Sequence, residues 1–176
     1  MKEGNFAINK TTVECYKIRH STNSYWADIT VDSYESAGRI QIASDFGDWQ
    51  YYWGACGKSF KEFLISLNID YVAGKFGADK WFDEVATIKQ FKREVLEYRK
   101  DDSITAEVAR KIWNEIIDLE EVGSYENEFS MRLFNGEEIM RFYDYCPHLI
   151  RDISPLFRRF WNEIWPVFVE ELKKEI

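Results

Sequence analysis

The chain has 176 residues, of which 45% are hydrophobic and 17% aromatic, and this composition excludes an intrinsically disordered protein. Its 31 acidic and 23 basic side chains give a net charge of −8 at pH 7, which opposes direct binding to nucleic-acid phosphates. The first residues lack the apolar stretch of a signal peptide, and no apolar run approaches the ~20 residues that cross a bilayer. The sequence therefore predicts a cytoplasmic protein that does not enter a membrane.

The cysteines Cys15, Cys56 and Cys146 are widely spaced and odd in number, which does not suit a disulfide framework and favours a reducing compartment. A chain of this length is expected to bury a core without disulfides or metals, as a single domain over residues 1–176. Strand patterns dominate residues 11–54, and helix patterns dominate residues 59–176.

The first predicted element is a strand over residues 13–18, with Val13 and Cys15 on one face and Glu14 on the other. A clearer strand covers residues 25–32, where an apolar row alternates with a polar row, as expected for a half-buried strand. The apolar row is Tyr25, Ala27, Ile29 and Val31, and the wet row is Trp26, Asp28, Thr30 and Asp32.

A β-hairpin is predicted over residues 38–54, with a Gly- and Asp-rich turn at residues 44–48 in which Gly47 takes a positive φ. The second strand of this hairpin places three aromatic side chains on one face, Trp49, Tyr51 and Trp53. Four strands joined by short connections favour an antiparallel meander.

Helices are predicted after this hairpin, from residue 59 onwards. Ser59 and Glu62 have the spacing of a capping box before an apolar stripe that runs to Leu67, and this stripe is expected to cover the aromatic strand. A second short helical turn is predicted over residues 69–75, ending at Gly77. Longer helices are predicted from Asp79 to about Lys100 and from Thr105 to a cap at Gly123, and a short one over residues 124–134.

Residues 142–145 are interpreted as an edge strand or an extended arm, and the state of residues 124–147 stays open. Ser154 and Pro155 predict the start of a C-terminal helix, which Pro166 should kink or divide. The predicted fold class is α+β, with an N-terminal antiparallel meander of about four strands packed against a mainly helical C-terminal half.

Three stretches carry a resemblance to a known family. They are S-D-F-G-D-W-Q-Y-Y-W-G, F-K-E-F-L and D-Y-V-A-G-K, within residues 44–75, with a looser S-P-x-x-x-x-F-W-x-x-I-W-P-x-F segment at residues 154–168. They resemble a family of uncharacterised small proteins encoded by tailed phages and prophages. The resemblance implies a genomic setting, and it implies no catalytic residue.

A nucleophilic hydrolase needs a Ser or Cys served by a His, and the histidines are His20 and His148. Cys146 and His148 are the nearest pair, but a strand-end Cys and an exposed His explain them equally well. With Cys56 or His20 they could bind zinc, although no C-x-x-C or H-x-x-x-H spacing supports such a site. No catalytic residue, metal site or cofactor is therefore predicted.

Asp45 and Asp48 flank the glycine of the predicted hairpin turn. Two close carboxylates can hold a metal or do acid–base work, but Asp in a turn far more often accepts hydrogen bonds from turn amides. Trp26 and Tyr52 oppose the apolar rows of their strands, so they are candidates for a protein-binding surface. These four residues are the predicted binding residues.

The functional hypothesis is a non-enzymatic phage or prophage accessory protein that binds and modulates a host or anti-phage defence protein in the host cell cytoplasm. One alternative is a small enzyme acting on a nucleotide or metabolite. A further alternative is an acidic mimic of nucleic acid, which requires carboxylates arrayed along one face. A homodimer is possible, and the identity of a foreign partner is not readable from the sequence.

Overall fold

The fold was analysed in a computed structural model that describes residues 7–22, 24–123, 125–144 and 147–176. The predicted α+β class is confirmed, because an N-terminal antiparallel sheet is followed by a mostly helical half. The strands are β1 Glu14–Arg19, β2 Trp26–Tyr34, β3 Ala37–Ser44, β4 Trp49–Trp53, β5 Trp81–Phe82 and β6 Arg151–Asp152. The helices are α1 Phe60–Ile65, α2 Ile69–Phe76, α3 Glu84–Lys100, α4 Ala106–Glu120, α5 Glu126–Asn135, α6 Glu137–Tyr143, α7 Pro155–Glu163 and α8 Trp165–Lys173.

Contacts within the chain define two compact units, Met1–Asp79 with Ile153–Ile176, and Lys80–Asp152. The single domain expected over residues 1–176 stays a prediction. In the described part of the chain, no helix combines the length and the apolar character needed to span a bilayer.

The first unit is built on an antiparallel sheet in the order β1-β2-β3-β4, which confirms the predicted meander. The register pairs Thr30 with Cys15 on one side and with Gln41 on the other, and Gln41 in turn pairs with Gln50. Side chains alternate along each strand, so these paired residues form one continuous row across the sheet.

The buried face of the sheet follows the predicted alternation on β2, where Ala27, Ile29 and Val31 are buried. On β1 the row that packs against the core is Tyr16 and Ile18, whereas the predicted pair Val13 and Cys15 is exposed. The first strand was predicted from weak alternation, and the larger Tyr and Ile side chains decide which face turns inward.

The β3–β4 turn confirms the expectation for Gly47, which has a φ of +140°. A Cβ at this position would lie 2.8 Å from Cζ2 of Trp49, so the glycine also makes room for the indole. Ser44 closes the turn, because its hydroxyl donates to the Gly47 carbonyl at 2.7 Å.

The helices that cover the sheet begin with the predicted capping box. Ser59 accepts from the Glu62 amide, and the Glu62 carboxylate accepts from the Ser59 amide at 3.1 Å. Helix α1 then places the Phe60 and Phe63 rings 6.0 and 5.5 Å from the Trp53 ring. As predicted, Gly77 ends α2 in the left-handed conformation.

The aromatic strand is covered from two directions, and the sequence predicted only one of them. Trp49 packs against Phe157 and Phe160 of α7, with ring centroids 5.0 and 5.2 Å apart. Pro155 begins α7, and the chain divides into α7 and α8 at Ile164, two residues before Pro166, as expected for a proline that cannot donate a hydrogen bond inside a helix.

In the second unit, β5 and β6 form a short antiparallel pair in which Phe82 is the register partner of Arg151. The helix predicted from Asp79 therefore begins later, at Glu84, after Asp83 caps it by accepting from the Ala86 amide at 2.9 Å. Helices α3 to α6 enclose a core that contains Phe91, Ile112, Ile116, Phe129 and Leu133. The helices predicted over residues 105–123 and 124–134 correspond to α4 and α5.

The strand or arm predicted for residues 142–145 is wrong where the structure describes it, because Phe142 and Tyr143 belong to α6. Two aromatic contacts hold them, Tyr98 with Phe142 at 5.0 Å and Phe91 with Tyr143 at 5.3 Å. Asp144 ends the helix in the left-handed conformation, and Tyr145, the last residue of that prediction, lies outside the described residues.

Candidate functional site

The outward face of the four-stranded sheet carries polar and aromatic side chains, while the apolar side chains of α1, α2, α7 and α8 cluster with the opposite face. The outward side chains are all half-buried or exposed. We call this surface the open sheet face, and it comprises Lys17, Arg19, Trp26, Asp28, Thr30, Asp32, Arg39, Gln41, Ala43, Gln50 and Tyr52.

Trp26 and Tyr52, the predicted aromatic binding residues, both lie on the open sheet face and are 37% and 52% exposed. Tyr52 pairs with Arg39 and so lies level with Asp32, six residues along β2 from Trp26. At 3.4 Å per residue this separation is about 20 Å along the strand. The structure therefore places the two aromatic residues at opposite ends of one surface and does not bring them together.

The Trp26 end of the face is held by charged groups. The Arg19 guanidinium lies 5.5 Å from the centre of the Trp26 ring, and its Nη2 is 2.6 Å from Asp28 Oδ1. The Asp45 carboxylate accepts from the Trp26 amide at 2.9 Å. Because the backbone and one face of the indole are held in this way, the exposed part of the ring is presented in a defined orientation.

At the other end, Asp32, Arg39 and Tyr52 lie side by side on three strands. The Tyr34 hydroxyl donates to Asp32 Oδ2 at 3.0 Å, and this hydrogen bond raises the pKa of Tyr34. Opposite charges beside exposed rings give this end both hydrogen-bonding groups and apolar area, which is the composition of protein interfaces.

The centre of the open sheet face is a shallow depression of about 420 Å³. Its floor includes the small side chain of Ala43, and carboxylates stand on two sides of it, those of Asp28 and Asp48. Gln41 donates to Gln50 across the neighbouring strands at 3.3 Å. Gln41, Gln50 and Asp48 are exposed, so the depression can accept from and donate to the polar groups of a bound molecule.

A comparison with protein families gives a match that spans nearly the whole chain. Residues 6–174 match the family Phage_phiTE_072, described as a phage family. The chain belongs to this phage family. No curated protein and no solved structure matches the phage-family protein.

The predicted pair Asp45 and Asp48 lies in the β3–β4 turn of the phage-family protein, at the Trp26 end of the face. Asp45 accepts from the Trp26 amide at 2.9 Å, and Asp48 accepts from the Ser44 amide at 3.4 Å. Asp45 therefore orders the backbone beside Trp26, whereas Asp48 also lines the depression. Asp48 therefore has the turn role that is usual for Asp, whereas Asp45 connects the turn to the neighbouring strand β2.

Sequence reasoning on the phage-family protein missed Arg19, Asp28 and Arg39 as parts of the same surface. The alternation along β2 already assigned Asp28 to the wet row, so this residue could have been found. Arg19 and Arg39 join it only through the register that pairs Lys17 with Asp28 and Asp32 with Arg39. Assigning that register requires the exact ends of the strands, which cannot be read from the sequence.

Of the groups considered for catalysis or zinc binding, Cys56, His20 and His148 lie within the described residues. Cys15 is exposed, and burial raises the pKa of the Cys56 thiol, which makes it a weaker source of thiolate. His20 Nδ1 lies 2.8 Å from the Thr22 hydroxyl. The pairing of Cys146 with His148 lies outside the described residues, and within them no group of three or more His, Cys, Asp or Glu could hold a metal ion.

Proposed function

We propose that this phage-family protein is a non-enzymatic accessory protein that binds and modulates a host or anti-phage defence protein in the cytoplasm of the host cell. The single observation that carries the proposal is the open sheet face, where Trp26 and Tyr52 stand exposed at the two ends of a polar surface. Membership of a phage family supports the biological setting.

The chemistry of this surface suits a protein partner. Tyr and Trp contribute large contact areas for few rotatable bonds and are enriched among the residues that dominate binding energy. The separation of about 20 Å between Trp26 and Tyr52 along the strand direction fits within a standard interface of about 800 Å² per partner. The ion pair Arg19–Asp28 at the Trp26 end and the cross-strand neighbours Asp32 and Arg39 at the Tyr52 end present both signs of charge, which selects a partner by complementarity.

The proposal is tested by affinity purification from a bacterial host lysate, followed by measurement of Kd with each captured protein after purification. Trp26→Ala and Tyr52→Ala should each weaken binding by more than about 1 kcal/mol, or about fivefold, with no change in the thermal unfolding temperature. The matched control is Tyr125→Ala, because Tyr125 is an exposed aromatic residue that belongs to the second unit.

The outcomes separate this proposal from its alternatives. Equal affinity for the wild type and both face variants, or an equal loss in Tyr125→Ala, contradicts the assignment of the partner to this face. Turnover of nucleotides or metabolites by the purified protein would favour the enzyme hypothesis. Capture of DNA-binding proteins that duplex DNA displaces would favour nucleic-acid mimicry, and a concentration-dependent dimer that Trp26→Ala disrupts would favour self-association.

A further inference from the structure

The α3–α4 hairpin of the second unit has two sides. Phe91, Val95, Ile112 and Ile116 pack into the core that the hairpin shares with α5 and α6. A different side of the same hairpin forms a surface groove along the line where α3 and α4 meet. We call it the α3/α4 groove, and its lining includes Val85, Lys89, Lys92, Leu96, Arg99, Ala109, Arg110 and Trp113.

The groove runs the length of α3. Its α3 wall repeats at intervals of four and three residues from Val85 to Arg99, so these side chains form one stripe on the helix. At 1.5 Å per residue, the stripe is about 21 Å long. Two depressions lie along it, one of about 380 Å³ around Val85 and one of about 310 Å³ between Leu96 and Trp113.

Apolar side chains are exposed along this stripe. Val85 is 75% exposed and Leu96 is 58% exposed. Core formation does not explain these positions, because the opposite sides of both helices already supply the buried residues of this unit. Apolar residues aligned at helical spacing on a surface groove are the usual seat of an amphipathic helix.

The lining of the groove has an excess of positive charge, although the whole chain carries a net charge of −8. It holds four basic side chains and two acidic ones, which are Lys89, Lys92, Arg99 and Arg110 against Glu84 and Glu120. Lys89 and Arg110 stand on opposite walls, and no carboxylate of the described residues forms an ion pair with either. Lys92 is different, since it pairs with Glu120 at 2.6 Å and lies 5.5 Å from the centre of the Trp113 ring. Both residues of this ion pair line the depression around Val85.

We propose that the α3/α4 groove binds an amphipathic α-helix of a partner protein, with apolar anchors two to three turns apart and acidic residues on its flanks. The two depressions receive the anchors, and Lys89 and Arg110 pair with the acidic flanks. An acidic partner helix complements the groove lining even though the chain as a whole is acidic, because pairs at contact distance outweigh a distant net charge screened over about 10 Å. This inference goes beyond the proposed function, because the groove is formed by other residues.

The test uses the full chain and a fluorescein-labelled peptide about four turns long, with leucines at helical spacing and glutamates on the flanks. A second peptide carries lysine in place of every glutamate. Fluorescence anisotropy should show that the acidic peptide binds at least tenfold more tightly than the basic one. Its affinity should fall at least fivefold when the salt concentration rises from about 0.05 to 0.5 M.

Charge reversal locates the binding site. The double variant Lys89→Glu with Arg110→Glu should bind the acidic peptide at least tenfold more weakly and the basic peptide more tightly. The matched control is Lys80→Glu with Arg132→Glu, which makes the same change in net charge at exposed positions of the same unit that do not line the groove. The control should retain wild-type affinity, and circular dichroism should show that both double variants are folded.

Three results would overturn the proposal. The first is equal binding of the two peptides, and the second is an equal loss of affinity in the two double variants. The third is a concentration-dependent dimer in sedimentation that Leu96→Glu disrupts, since it would assign the groove to a second copy of this chain.

Discussion

Replacing Gly38 with alanine tests how α1 packs on the sheet that supports the open sheet face. Gly38 lies on β3, where it pairs with Ser33 and Trp53. A Cβ built at Gly38 would lie 2.3 Å from Cδ1 of Phe60, whose side chain is only 1% exposed. Carbon atoms without a bond between them do not approach so closely, so the Phe60 ring must move when a methyl group is added.

The magnitude follows from how firmly that ring is held. Phe60 packs between Trp53 at 6.0 Å and Phe63 at 6.3 Å, so it has little room to shift. Overpacking of this kind costs about 1–3 kcal/mol, and we expect Gly38→Ala to lie near 2–3 kcal/mol. The free energy of unfolding is measured by urea denaturation followed by far-UV circular dichroism.

A double-mutant cycle separates the clash from other effects of the substitution. In a Phe60→Leu background the ring is removed, so Gly38→Ala should then cost less than about 1 kcal/mol. The matched control is Gly74→Ala in α2, where the added Cβ would be 3.6 Å from Asp79 Oδ2, and the change should raise stability by up to about 1 kcal/mol. Wild-type stability of Gly38→Ala, or an unchanged cost in the leucine background, would refute this description of the α1–sheet contact.

Three further predictions concern other contacts. Burial, followed by its hydrogen bond to Glu175, raises the pKa of Tyr16 from 10.0 to about 12, so the folded chain holds a proton that the unfolded chain releases in that range. The free energy of unfolding should therefore fall by up to about 2 kcal/mol between these pH values, and alkaline urea titrations of Tyr16→Phe should show a flatter fall. Thr87→Val should cost about 1–3 kcal/mol in urea unfolding, because the buried hydroxyl accepts from the Ile150 amide at 3.0 Å. Glu115→Gln should cost about 1 kcal/mol and increase amide hydrogen exchange at the start of α6, where that carboxylate accepts two backbone hydrogen bonds.

Local patterns predicted most of the elements. The alternation on β2, the capping box at Ser59 and the glycine at Gly47 each act through neighbours within a few residues, so they are readable without the fold. The strands β5 and β6 were missed because a two-residue strand has no period. Helix α6 was missed because Glu115, which caps it, lies on α4 more than twenty residues away.

The candidate site was predicted in part, because local patterns show which side chains are exposed but do not show which of them lie side by side. Exposure of Trp26 and Tyr52 follows from alternation within a single strand, and the structure confirms that both are exposed. Their separation by about 20 Å, and the charged groups between them, depend on the cross-strand register. The α3/α4 groove was not predicted at all, since knowing which side of α3 lines a groove requires the position of α4.

The C-terminal helices show why a deletion cannot map the open sheet face. Patterns along the chain separated a strand-rich part from a helix-rich part, but Phe157, Phe160 and Phe168 pack in the same core as the sheet. The chain leaves this unit after Asp79 and returns at Ile153, and the Ser154 amide donates to the Ala78 carbonyl at 2.7 Å. Removing α7 and α8 would expose Trp49 and unfold the sheet that carries the open sheet face. A loss of binding after such a deletion would therefore not show that α7 or α8 contacts a partner. Point variants at exposed positions are therefore the informative experiment for both surfaces.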